Sequence, residues 1–261
     1  MDELKDGDII EVSYTGKVGE EVFDTTDEDV AKEEDVYKEG VVYGPITVVL
    51  GAEHLIKGFE EDLLEKEIGS EEKVEITPEK GFGTYNGDLK VLTPVSKFKE
   101  RPVPGMQVML DGRVGIVEKV IGRRAMVDFN PPLAGKTISY EYKILRKITD
   151  PSEQIKGLIK LYMNKEMDAE VVDDKAFVYI NYESSLDQKW ILFRKKMAEE
   201  ILKYLGVEEV SYIEKYSKEG KEEIEEGGKE EIEEGGKEEI EEGGKEEIEE
   251  GGKEEIEGAE K

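Results

Sequence analysis

The residue types that most often do covalent chemistry are almost missing from this chain. It has no Cys and a single His, His54, in 261 residues. Without Cys there are no disulfides, no thiolate metal ligands and no thiol nucleophile. A Ser-His-Asp arrangement could run only through His54, and multi-His metal sites are excluded. His54 itself is expected to be a partly exposed turn residue ahead of a helix. Carboxylates are plentiful, 66 Asp and Glu against 37 Lys and Arg. They could hold a hard cation such as Ca²⁺ only weakly and without a defined cage, so no metal and no cofactor is expected.

The resulting net charge of −29 argues against sequence-independent binding to nucleic acid or to anionic lipid, both of which need clustered Lys and Arg. No apolar run approaches the ~18 residues of a membrane-spanning helix. Met1 is followed by Asp2, Glu3 and Lys5 instead of a basic stretch and an apolar core, so no signal peptide is read. A cytoplasmic protein is the expectation, and 37% apolar residues permit a sizeable core.

The elements that must position any site fall into four stretches. In the first 150 residues, Ile9–Tyr14, Val41–Leu50, Glu72–Ile76 and Thr137–Ile148 read as strands, and His54–Leu64 as the one good helix. Asp27–Gly44 reads as an acidic surface loop. Residues 86–129 change character: 8 Lys and Arg face 5 Asp and Glu, and Pro and Gly break short apolar runs, which suggests a small all-β insertion. Residues 151–216 read as α-β-β-α-β. Asp150-Pro151-Ser152-Glu153 has the form of a helix start, and Trp190, Phe193, Met197, Ile201 and Leu205 mark a second helix closed by Gly206. From Lys221 the octapeptide Lys-Glu-Glu-Ile-Glu-Glu-Gly-Gly repeats. With 6 Lys and 20 Glu in residues 221–261, it cannot bury enough apolar surface to fold, so a disordered acidic tail over 217–261 is expected.

Several segments of the first 150 residues then match a known pattern. Val12-Ser13-Tyr14-Thr15-Gly16 and Val22-Phe23-Asp24-Thr25-Thr26 resemble the opening of FKBP-type peptidyl-prolyl cis-trans isomerases. Val49-Leu50-Gly51-Ala52-Glu53-His54-Leu55-Ile56-Lys57-Gly58-Phe59-Glu60 is similar to that family's strand-to-helix passage. Pro78-Glu79-Lys80-Gly81-Phe82-Gly83 and Asn130-Pro131-Pro132-Leu133-Ala134-Gly135-Lys136-Thr137-Ile138-Ser139-Tyr140 complete the match, the last resembling the SlyD-like subgroup. The resemblance implies an α+β fold: an FKBP-like antiparallel sheet with one helix over 1–85 and 130–150, and an insert-in-flap chaperone domain over 86–129. To these are added a C-terminal α+β domain over 151–216, suggesting the long archaeal type, and the acidic tail. Residues 151–261 offer no wider resemblance.

What the resemblance implies for chemistry is an apolar cradle that strips water from a prolyl amide, whose rotation is slow because it breaks amide resonance. The cradle would be Tyr14, Phe23, Ile46, Leu55, Ile56, Phe59, Phe82 and Tyr140, with Phe59 as floor. Asp24, held by Tyr14, would be the polar wall, and the Ile56 N–H would receive a substrate carbonyl. Three positions depart from the family: Phe82 stands where most members have Tyr, Phe59 where many have Trp, and Pro132 where a His is common. Tyr85 lies close enough in sequence to replace the missing hydroxyl.

The function implied is isomerisation of X-Pro bonds in unfolded or partly folded clients, with Met106, Met109 and Met126 of the insertion offering adaptable client contacts. A binding-only holdase with a pocket weakened at Phe82 is the alternative. A homodimer is expected through residues 151–216, whose three strands leave edges and whose Val171, Phe177, Tyr179, Tyr182, Tyr212 and Ile213 exceed what two helices comfortably cover.

Overall fold

The computed structural model of the chain describes residues 3–216; the expected acidic tail lies outside the described residues. Strand β1 (Ile9–Val18) is the centre of the first sheet. Its second half pairs with β2 (Glu21–Thr25) and its first half with β3 (Ile46–Val49), both antiparallel and on the same edge. Between them the chain forms a short helix α1 (Glu28–Glu33), whose first turn is capped by the Asp27 carboxylate accepting from the Asp29 and Val30 N–H groups. The stretch Asp27–Gly44, expected to be a surface loop, therefore opens with a helix, because Asp at an N-cap satisfies free amides that a plain loop would leave to water.

Helix α2 (Lys57–Leu64) crosses to β4 (Glu71–Ile76) and buries Phe59 and Leu63 on the sheet. Strand formation before β3 is shorter than the apolar run Val41–Leu50 suggested: Gly44 takes φ +115 and Pro45 follows, so pairing begins at Ile46.

After β4 the chain leaves for a four-stranded antiparallel sheet of β5 (Lys90–Pro94), β6 (Gln107–Leu110), β7 (Arg113–Ile121) and β8 (Arg124–Asp128), in the order β5-β8-β7-β6. Its inner face is a small core of Val108, Leu110, Val117, Ala125 and Val127. The two passages to and from this sheet are tied side by side: the Asn86 N–H donates to Asn130 Oδ1 and Asn130 Nδ2 donates to the Asn86 carbonyl, each at 2.9 Å. Strand β9 (Ile138–Lys147) then lies between β1 and β4. Ile138, Tyr140, Tyr142 and Ile144 alternate inward along it, as a period of two requires.

Residues 151–216 add α3 (Pro151–Met163), β10 (Ala169–Val172), β11 (Lys175–Ile180), α4 (Tyr182–Ser185), α5 (Gln188–Tyr204) and β12 (Glu209–Glu214). The α3 start has the expected form: Asp150 accepts from the Glu153 N–H at 2.8 Å with Pro151 in the first turn. Strands β10 and β11 are antiparallel, and the helical crossover makes β12 parallel to β11. This core is continuous with the first 150 residues. Ile9, Val49 and Ile148 belong to the same buried cluster as Ile155, Leu158, Trp190, Met197 and Ile201. Strand β3 is thus buried on both faces, Val48 toward α2 and Val49 toward α3.

Candidate active site

The nine expected pocket residues converge on one end of the first sheet. Phe59, on the first turn of α2, is 1% exposed and lies parallel to the Tyr140 ring at 4.5 Å between centroids, with an interplanar angle of 6°. Tyr14 meets both rings edge-on, at 5.9 Å from Phe59 and 5.3 Å from Tyr140. Phe23 stands edge-on to Tyr140 at 5.9 Å and to Phe82 at 6.0 Å. Ile46, Leu55 and Ile56 are half-buried against the same cluster. Offset and edge-on contacts of this kind favour rigid ring placement beyond the area they bury.

The approach of these rings depends on Gly16. A Cβ there would lie 2.8 Å from Phe23 and 2.9 Å from Tyr140, so a side chain at this position would push the two walls apart. The sequence reading missed Tyr142, which sits two residues beyond Tyr140 on the same face, approaches Phe59 at 5.0 Å and donates its hydroxyl to Asp62. The alternation along β9 was the signal that could have found it.

At the rim the Tyr14 hydroxyl donates to Asp24 Oδ2 at 2.9 Å. Burial, and then the Asp24 charge, push the Tyr14 phenol far above its ordinary range; the same two causes raise Tyr140. Both phenols therefore keep their protons at neutral pH. Ile56 is the N-cap of α2, its carbonyl accepting from the Phe59 and Glu60 N–H groups. Its own N–H has no acceptor among the described residues.

One expectation is corrected here and another refined. Tyr85 does not supply the hydroxyl missing at Phe82: it donates to Asp128 Oδ2 at 2.8 Å and its Cβ sits over Gly135, at the passage to the second sheet. His54 lies in the expected bend ahead of the helix, but its imidazole is turned away from solvent. Its side chain is 3% exposed and lies against Tyr162 and Glu200, because α3 and α5 cover the segment that a turn ahead of a helix would otherwise expose. Of the three methionines, Met109 is 73% exposed and Met126 half-buried, whereas Met106 packs against the small inner core of the second sheet.

The rings form a close-packed apolar cluster with one carboxylate at its rim. A family model described as FKBP-type peptidyl-prolyl cis-trans isomerase matches residues 1–134, and one described as FKBP26_C-terminal matches residues 151–217. The short-type peptidyl-prolyl cis-trans isomerase of Methanocaldococcus jannaschii is 36% identical over 144 residues, 54% of this chain and 92% of that protein. The FKBP-type isomerase SlyD of Helicobacter pylori is 30% identical over 117 residues, 42% of this chain and 63% of that protein. An FKBP-type 16 kDa isomerase of Escherichia coli is 28% identical over 108 residues, 39% of this chain and 72% of that protein.

The chain belongs to the FKBP-type peptidyl-prolyl cis-trans isomerase family. Its α+β architecture and antiparallel sheet are those expected of that family, and it is an isomerase of this type. Among the described residues, no helix is long and apolar enough to cross a membrane.

Proposed function

We propose that residues 1–85 and 130–150 catalyse X-Pro isomerisation by seating the prolyl ring on Phe59 between Tyr14, Phe23, Phe82 and Tyr140. A planar amide resists rotation because its resonance must be broken. Removing water from the carbonyl favours the twisted form, whose charge separation is smaller, and fixed dipoles then act on it without reorganising. Asp24 is the dipole at the twisting carbonyl, and the unpartnered Ile56 N–H receives a neighbouring substrate carbonyl. The observation that carries this reading is the Tyr14–Asp24 hydrogen bond set at the mouth of the stacked Phe59–Tyr140 pair.

The clients are unfolded or partly folded chains, and the insert-in-flap reading of residues 86–129 supplies the surface that holds them. The register of the second sheet supports it: Met109 lies opposite Val114, and Met126 opposite Leu92, on the face away from the small core. Val114, Ile116 and Leu92 are exposed there with Met109. Exposed apolar side chains gathered on one face suit an interaction site, and Met adapts to varied partners. Met106 is left out of this face.

The test is a proline-limited refolding assay run beside a tetrapeptide assay. The protein should shorten the slow refolding phase and turn over the peptide. Suppression of aggregation with an unchanged slow phase would instead establish the holdase reading, which the absence of a hydroxyl at Phe82 favours.

A further inference from the structure

We propose that His54, Tyr162 and Glu200 form a buried clasp through which residues 151–216 fix the wall of the prolyl pocket, making Tyr162 and Glu200 positioning residues for the isomerase. The inference rests on the reading of Leu55 and Ile56 as pocket wall.

The segment concerned is short and held from several sides. Between the end of β3 and the N-cap of α2, residues 50–56 make a turn with Gly51 at φ +83 and Glu53 at φ +58. The Gly51 N–H donates to Glu60 Oε1 at 2.7 Å, which ties it to α2. The N-terminal segment adds backbone bonds between Leu50 and Gly7 and Asp8, and the added segment supplies further ties. Tyr204 donates from its hydroxyl to the Gly51 carbonyl at 3.2 Å, and Ala52 packs against the core of residues 151–216.

His54 is the centre of these ties, and its hydrogen bonds can be assigned atom by atom. Nδ1 lies 3.1 Å from the Val49 N–H, which can only donate, so Nδ1 accepts and the ring proton sits on Nε2. Nε2 is 3.0 Å from Glu200 Oε2 and 3.1 Å from the Tyr162 oxygen. The Tyr162 hydroxyl spends its own proton on Glu200 Oε1, at 2.6 Å. One Nε2–H is therefore shared between Glu200 and Tyr162, and each oxygen of the carboxylate receives one proton from the clasp. Glu200 is 7% exposed and His54 almost fully covered; a carboxylate so placed needs these donors.

The clasp is seated by an unusually close approach of α3 to β3. A Cβ on Gly157 would lie 2.3 Å from Thr47 Oγ1, so only Gly at this position lets the helix rest on the strand that ends at the pocket. Leu55 follows His54 directly and Ile56 comes next. A change at Glu200 thus reaches the pocket through one side chain and one residue of backbone. Substrate meets neither Tyr162 nor Glu200.

Because the Ile56 N–H would hold substrate in the planar and twisted states alike, its displacement should weaken binding more than turnover. The experiment uses the full chain carrying Glu200→Leu, Glu200→Gln or Tyr162→Phe. Each is assayed on a short X-Pro peptide, and the Leu55 and Ile56 methyl and amide resonances are followed during peptide titration. Glu200→Leu should raise KM about five- to tenfold with kcat within twofold, and shift the free-state resonances of Leu55 and Ile56. Glu200→Gln, which keeps one acceptor oxygen, should recover part of the loss. Tyr162→Phe keeps the volume and should give the same effect in weaker form even where Glu200→Leu folds poorly.

Folded Tyr162→Phe and Glu200→Gln proteins with unmoved Leu55 and Ile56 resonances and wild-type KM would overturn the proposal. A fall in kcat alone, tracking the folded fraction, would also overturn it, since that is what a purely structural contact does. Failure of the pocket reading looks different: peptide titration of the wild-type protein would shift resonances elsewhere and leave Leu55, Ile56 and Phe59 untouched, overturning both together.

Discussion

Removing the Phe59 ring tests fold and chemistry with one substitution. The side chain is 1% exposed and touches the rings of Tyr14, Tyr140 and Tyr142. Phe59→Ala should cost about 3–5 kcal/mol, the transfer loss plus a cavity that stiff aromatic neighbours cannot collapse into. For a folded unit of this size about 2–4 °C of Tm follows each kcal/mol, giving a fall of about 6–20 °C. Near-UV circular dichroism during heating reads it, because the ordered aromatic side chains, Tyr14, Tyr140 and Tyr142 among them, lose their signal on unfolding. Phe59→Leu keeps hydrocarbon in the cavity but removes the flat face; it should stay folded with an intermediate Tm and still lose peptide kcat/KM by about tenfold or more. A Phe59→Ala shift below about 2 °C would refute the packing argument. Wild-type kcat/KM in a folded Phe59→Leu protein would refute the floor.

Asp24→Asn preserves shape and leaves an acceptor for Tyr14, so Tm should hold while peptide kcat/KM drops about tenfold, about 1.4 kcal/mol in the barrier; an unchanged rate removes Asp24 from the mechanism. Excising residues 87–129 and joining the ends that Asn86 and Asn130 already hold together should leave peptide turnover near wild type but sharply reduce catalysis of protein refolding; equal losses on both substrates would mean that the second sheet supports the pocket itself. Burial alone would push the Glu200 carboxyl up, but the hydrogen bonds from His54 and Tyr162 and the Lys196 charge outweigh it and hold it below the usual carboxylate range. Its contribution to stability is therefore complete above the ordinary Glu range and lost as pH falls through and below it, so the Tm difference between wild type and Glu200→Gln should shrink on acidification from pH 6, and a constant difference would contradict the assignment. Leu186, Ile191 and Leu192 remain 58–71% exposed on α4 and α5, and the homodimer proposed through residues 151–216 should appear as a doubled mass in light scattering of the full chain, with Leu192→Glu shifting it to monomer; a monomeric mass at high micromolar concentration rejects it.

The amino-acid sequence by itself determined most of the strands and helices, while the expected pocket residues came from the resemblance of its segments to the FKBP-type family. Alternation placed Tyr140 inward on β9, the apolar spacing after Lys57 turned Phe59 onto the sheet, and the Asp150-Pro151 pair started α3, all of them local rules with a period or a cap behind them. The run Ile46–Leu50, apolar except for Thr47, already had the character of a strand buried on both faces, yet nothing in it says what lies on the second face. Tertiary structure decided that: α3 rests there because Gly157 lacks a side chain, and the surplus apolar surface of residues 151–216 is partly spent on Ile9, Val49 and Ile148 of the same chain. His54 shows the same limit most plainly. A lone imidazole ahead of a helix reads as a solvated turn, and its partners Tyr162 and Glu200 stand 108 and 146 residues away. Hydrogen bonds of that sequence separation leave no periodic trace, since each partner is also an ordinary residue of its own helix, and only the packing of those helices brings the three together.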